Sequence, residues 1–455
     1  MMAITLLFLL FSSALLFGNT VLKLYGKKKQ VLSLNLLLLA LLSLSSLYML
    51  LSGTDSVVAG MISVDPFSAF FALLFTLGMI LVHLLAYQYS EDYPGFALLS
   101  CFTLAGMYMV SLSTTIITIF VGLELASIPT VFMILLSKKS LEAAAKLFIM
   151  ASIATAIFSL AMALAYGGSN TLSLTHSQES SLMLFAALLF IAALGFESSI
   201  FPFNLLIPDV YQGSPAYLTS MLGGINKKMG FSALIQILIL VFIAYKSAFV
   251  VIAIASVLTM FYGNIVALMQ KNIKRMLAYS SIAQAGYILI GVATGTQSGI
   301  AASLFQRFSH LFIFIGLMGI VAWLEDRNRH DIDALIGLHS ENRLAAFSLA
   351  LFLLSLVGLP FTSGFIGKFL IFTGAIGANL AILAVIGIIN SVISVYYYAR
   401  PIMAAYTGKA DPKPAKLSAP VLITITVCIV ATLLFGIFPQ PLVSMASHAS
   451  SYLFR

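Results

Sequence analysis

The constraint that dominates this chain is a succession of apolar runs, each about as long as a bilayer-crossing helix. They fall near residues 2–22, 31–52, 66–88, 95–111, 113–136, 143–166, 182–203, 215–241, 248–269, 276–294, 299–323, 344–373, 375–402 and 418–438. A spanning helix needs about 20 predominantly apolar residues. In lipid a helix satisfies its own backbone donors and acceptors. The reading is an all-α, polytopic membrane protein with about fourteen transmembrane helices. Only 8% of its residues are charged, against roughly 25% in soluble proteins.

The few charges test this count. Of the 23 Lys and Arg, sixteen lie in the odd-numbered loops and their flanking helix ends. Two (Lys246 and Arg455) lie in even loops or termini, and five fall inside the apolar runs. Positive residues gather on the cytoplasmic side of short loops, so odd loops are expected in the cytoplasm and both termini outside. An error of one helix would scramble that alternation. The net charge of +8 therefore reflects topology and does not point to nucleic acid. The first run lacks a basic leader region and a cleavage site, so it reads as a retained helix. The longest polar stretch, Glu325 to Arg343, is a charged cytoplasmic connection. Cys101 and Cys428 are far apart in apolar surroundings and suggest no disulfide, metal or iron–sulfur site. Gly367-Lys368 is no phosphate loop, because Thr362 stands where the first glycine is needed.

Five ionisable residues are buried in otherwise apolar runs: Glu124, Lys146, Glu197, Lys227 and Lys368. A charge at bilayer depth costs about 2.5–3.5 kcal/mol on insertion scales, and such residues mark ion or proton routes. These five are the candidate transport residues. Glu124 and Lys146 read as a pair whose ionisation can shift. Lys146 also follows Glu142 by four residues, the spacing of an ordinary helical ion pair. Lys228, Arg307, His310 and Gln284 are candidate relay positions. Of Lys227 and Lys228, one is expected to face the interior and the other to snorkel or pair. His83 reads as a structural, hydrogen-bonded histidine, and Asp209 as a half-helix cap.

Two runs are interrupted alike, in GFESSIFPFNLLIPDVYQGSP (195–215) and VGLPFTSGFIGKF (357–369). Proline removes a backbone donor and breaks the helix. Paired breaks in two halves point to an internally repeated transporter. The expected organisation is N-terminal helices over 1–94, a first repeat over 95–241, a second over 248–402 and a last helix within 418–455.

At these residues the chain resembles the antiporter-like subunits of respiratory complex I, specifically the N-subunit family within the Mrp-type antiporter superfamily. The elements that carry the likeness are VGLELASIP, EAAAKLFIMASIATAIF, PFNLLIPDVYQGSP, NIKRMLAYSSIAQAGYILIG, and LFLLSLVGLPFTSGFIGKFLIF with INSVISVYYYARPI. The resemblance implies two inverted five-helix repeats with broken seventh and twelfth helices, in a prokaryotic plasma membrane. It implies proton pumping along a hydrophilic axis in which Glu124, Lys146, Lys227 and Lys368 match the family's buried Glu and Lys. It also implies neighbouring antiporter-like and small membrane subunits as partners. No cofactor belongs to this chain; NAD(H) or another donor, FMN, iron–sulfur clusters and quinone are expected in partner subunits. The sequence departs from the family at three points. Glu197 replaces a lysine, Asn204 a histidine and Gln284 a histidine, and Arg307 and His310 are candidates to compensate. An Mrp-type antiporter or hydrogenase subunit, and a non-pumping membrane scaffold, are the alternative readings.

Overall fold

The computed structural model describes residues 27–455 apart from 54, 59, 138–139, 176–179 and 409–414. The first apolar run lies outside the described residues. Twelve described helices are long and apolar enough to cross a membrane. In chain order they begin with α1 (Lys28–Ser52), α2 (Pro66–Tyr89), α3 (Tyr93–Ser111), α4 (Ile116–Leu136), α5 (Leu141–Ser169) and α6 (Ser181–Ser198). After α6 comes the short helix α7 (Ile207–Gly213). The spans resume with α8 (Ala216–Val241), α9 (Lys246–Leu268), α10 (Ile273–Ala293) and α11 (Gln297–Glu325). Two 15-residue apolar helices follow, α12 (Arg343–Val357) and α13 (Ser363–Gly377), and then the spans α14 (Ala381–Tyr406) and α15 (Ala419–Ile437). The chain closes on α16 (Gln440–Tyr452). A two-stranded hairpin, Ser56–Val58 with Ile62–Val64, joins α1 to α2.

The helix starts follow local capping chemistry. Asp65, Thr115, Ser140, Asn272 and Thr296 each accept the amide of the residue three ahead, which satisfies a donor that has no partner inside the helix. Both breaks occur where proline and glycine foretell them, but they are sharper than expected. The segment expected over 182–203 stops at Ser198, because Ser199 turns left-handed at φ 62° and the chain then folds into α7. The segment expected over 344–373 is two helices, because Gly358 adopts φ 103° after Val357. Residue 358 is one of the few places where only glycine fits without strain.

α10 and α11 form the inner layer: the spanning window of α10 is wholly buried and that of α11 nearly so. α5, α9, α14 and α15 are less than half buried and form the outer layer. α16 was missed in the sequence because it is amphipathic and too short to span; Tyr452 near its end hydrogen-bonds Asp55 beside the hairpin at 3.0 Å. Inside α8 the backbone loosens into π-helix over Leu222–Asn226, immediately before Lys227. Such π-turns widen a helix locally and recur at functional sites.

Candidate functional site

At one end of the bundle, α7 folds back against the starts of α5 and α10. Asp209 accepts from Lys146 Nζ at 2.7 Å and from Arg275 Nη1 at 2.5 Å. Lys146 also reaches Glu142 at 2.6 Å. Burial pushes the Asp209 carboxyl upward, but the hydrogen bonds from Lys146 and Arg275 outweigh it and hold the group below the usual carboxylate range. Asp209 is therefore an ion-pair bridge and not the half-helix cap expected from sequence. Beside it, Glu325 of α11 accepts from the Ala216 amide at 2.8 Å and from Lys274 at 3.2 Å, and Lys274 donates to Ser214 O at 2.8 Å. This second clamp fixes the start of α8 and was not foreseen.

The expected Glu124–Lys146 pair does not form. Glu124 instead accepts a hydrogen bond from Thr155 Oγ1. Thr155 lies nine residues beyond Lys146 on α5, about 13 Å farther along the helix axis. Lys146 is occupied at the helix start, so the two groups are held apart.

Glu124 shares a narrow crevice of about 10 Å³ with Glu197. Glu197, on the last turn of α6, accepts from Ser127 Oγ at 3.4 Å. A cavity of about 50 Å³ then joins Glu197 to Lys227, lined also by Ser127, Thr130, Tyr211 and Asn226. A site for one water needs about 10–15 Å³ by this measure and polar partners, so this chamber suits a short water chain. α8 approaches closely here because residue 230 is glycine: a Cβ there would lie 2.7 Å from Cβ of Glu197.

The middle of the bundle is basic. Lys227 donates to Ser281 Oγ at 3.0 Å, with its ammonium 4.8 Å from the centre of the Tyr211 ring. Lys228 is also fully buried and does not snorkel. It donates to Gly223 O at 2.8 Å and meets His310 Nδ1 at 3.3 Å. The carbonyl that Lys228 bonds lies within the π-turn. His310 stacks on Phe314, which packs on Tyr211. Arg307, one turn before His310, lies over the Phe231 ring at 3.2 Å.

From there a chain of neutral groups crosses to the second break. Gln306 donates to Gln284 at 3.3 Å, and Gln284 donates to the Leu356 carbonyl at 3.2 Å. Lys368, buried on α13, donates to Val357 O at 2.9 Å and to Ser391 Oγ at 2.8 Å, over the face of Tyr287. The broken helix thus presents its last carbonyls to Gln284 and Lys368.

The structure sets Glu124, Glu197, Lys227, Lys228, Arg307, His310, Gln284 and Lys368 along one track through the bundle, with Glu124 and Glu197 only partly buried, and leaves Lys146 at its edge. Gln306, Ser281 and Ser391 were missed; only Gln306, a polar residue beside Arg307 in an apolar helix, gave a signal. His83 stands apart, bonded through both ring nitrogens to Tyr93 and Ser100. Asn204 is buried in the first break, away from any described hydrogen-bond partner. Among the described residues no His, Cys, Asp and Glu cluster has the arrangement of a metal site.

Residues 113–394 match the family model described as NADH:quinone oxidoreductase/Mrp antiporter, TM. The chain is 34% identical over 427 residues to NADH-quinone oxidoreductase subunit N 1 of Chloroherpeton thalassium, covering 89% of each chain. It is 33% identical over 418 residues to F(420)H(2) dehydrogenase subunit N of Methanosarcina mazei, covering 86% of this chain and 85% of that one. Among solved structures, a chain of respiratory complex I from Thermus thermophilus superposes with a TM-score of 0.84 at 29% identity, covering 97% of this chain and 99% of that one. A chain of the Mrp complex from a Dietzia species superposes with a TM-score of 0.91 at 19% identity, covering 98% of this chain and 97% of that one.

Proposed function

The chain belongs to the NADH:quinone oxidoreductase/Mrp antiporter transmembrane family, and from that premise we propose that it is the proton-translocating N-type membrane subunit of a complex I-like oxidoreductase. The observation that carries this reading is the track from Glu124 to Lys368, two partly buried acids and three buried lysines set along a succession of cavities and polar links. A scaffold gains nothing from several ionisable groups at membrane depth, whereas a proton route requires them.

In this reading protons enter from the cytoplasm beside α7, where Asp209 holds Lys146 and Arg275. They reach Lys227 through the chamber it shares with Glu197, and they leave through Lys368 in the outer half. The chain takes no part in electron transfer. Neighbouring antiporter-like and small membrane subunits transmit the redox energy as shifts in charge, and those shifts act strongly inside a low-dielectric bundle. NADH or a related donor, FMN, iron–sulfur clusters and quinone belong to partner subunits. The relatives include an F(420)H(2) dehydrogenase subunit as well as NADH-linked ones, so the donor is left as a class. The two breaks support two five-helix repeats, 95–241 and 248–402, each supplying half of the route. The sixteen-to-two bias in loop charge supports odd loops inside and both termini outside, in a prokaryotic plasma membrane.

Lys368→Ala in the intact complex tests the reading. Proton uptake per electron, followed in inverted membrane vesicles, is expected to fall while donor oxidation by the peripheral arm persists. Undiminished pumping per electron would assign the chain a purely structural role. The subunits that co-purify with it distinguish a redox complex from a cation antiporter.

A further inference from the structure

The track described above has one member that is permanently charged. A guanidinium stays charged at any pH a protein survives, so Arg307 is a permanent positive charge. It is only 2% exposed and is the eleventh residue of the 29-residue α11. Among the described residues its Nε and Nη2 have no hydrogen-bond partner, and no acid lies within ion-pair distance of it. The face of Phe231, one turn after Lys227 on α8, fixes its position at 3.2 Å. That contact suits a cation that is to be held in place without being neutralised.

Its location gives the charge a role. On one side stand Lys227 and Lys228, about one turn before Phe231 on α8, and His310, one turn beyond Arg307 on α11 and 3.3 Å from Lys228. On the other side its chain neighbour Gln306 begins the amide link through Gln284 toward Lys368. A positive charge moving from the Lys227 chamber toward Gln306 approaches this guanidinium where the dielectric is low and repulsion is strong. Fixed arginines exclude protons and cations from pores in the same physical way.

We propose that Arg307 is an electrostatic barrier at the junction of the two halves, which prevents protons and metal cations from leaking through the bundle between pumping events. The proposal rests on the proton-transporting reading above. Arg307 acts through the field it imposes on its neighbours and is a positioning residue, not a carrier.

The test uses the purified intact complex in proteoliposomes, without electron donor, with a pH gradient imposed across the membrane and its decay followed by an internal pH dye. For Arg307→Met the decay is expected to be about tenfold or more faster than wild type, a factor that corresponds to removing about 1.4 kcal/mol of barrier. Arg307→Lys, which keeps the charge, is expected to decay at the wild-type rate. A fully assembled Arg307→Met complex no leakier than wild type overturns the proposal, as does an Arg307→Lys complex that leaks as fast as Arg307→Met. If Arg307→Met does not assemble, Phe231→Leu replaces it. Freeing the guanidinium should raise the leak severalfold, and a wild-type leak rate then rejects the barrier. Energising the same wild-type vesicles with donor separates the two ideas, because failure to pump undermines the transport reading whatever the leak rate.

Discussion

Replacing Gln284 with leucine removes the only side chain that bridges the Gln306 amide to the Leu356 carbonyl in the described structure. Two interhelical hydrogen bonds are lost, and their partners are left in a dry interior. Such bonds in membrane bundles average about 0.6 kcal/mol and reach about 1.7; an unsatisfied buried partner costs about 1–3 kcal/mol. The expected loss of stability is about 1–3 kcal/mol, tolerable in a protein with this much buried surface. The effect on transport should be larger than that on folding, because the link lies between the lysine cluster and Lys368. Loss of one ordered link adding about 1.4–2.8 kcal/mol to the transfer barrier slows it about 10- to 100-fold. The assay is coupled proton uptake in inverted vesicles, normalised to assembled complex. Gln284→His, which restores a titratable group, should recover much of the rate. A Gln284→Leu complex that assembles and pumps at the wild-type rate would refute the role of this link.

Two further outcomes follow from the same geometry. Asp209→Asn should lower coupled turnover by leaving Lys146 and Arg275 without their shared anion. Because the Asp209 carboxyl is held below its ordinary value near 4, the stability it supplies is fully present above that pH and is lost as pH falls through the lowered value. Thermal unfolding of the wild-type complex should therefore lose this contribution only in acid, and the Asn variant should lack that part of the acid dependence. Glu197→Gln should reduce coupled turnover with assembly intact, since Glu197 and Lys227 line one chamber; normal coupled rates with donor would remove Glu197 from the route.

The membrane-spanning pattern was legible because apolar runs of spanning length obey simple physics. So were the two breaks, since Pro202, Gly358 and Pro360 announce them. The burial of Lys227 and Lys368 followed from the cost of charge in lipid. Pairing was less legible. Lys146 reads as a partner for Glu124 until α7 is seen to fold back and deliver Asp209. Lys228 finds its acceptor, the Gly223 carbonyl, inside a π-turn, and no residue pattern in Leu222–Asn226 announces that turn. Gln306 and Ser391 are ordinary polar residues on helices, and only the packing of α11 and α14 against the second break gives them a role. Sequence positions fix which groups are costly; the three-dimensional arrangement decides which neighbour relieves the cost.

Lys368 also ties together the ends of a severed helix. Its ammonium grips the Val357 carbonyl across the gap from α13 to α12, at a helix terminus that carries about half a negative charge. A charged donor holds such an acceptor roughly twice as strongly as a neutral one. The joint is therefore stronger with the amine charged than with it neutral, so the firmness with which the two pieces are fastened follows a single charge.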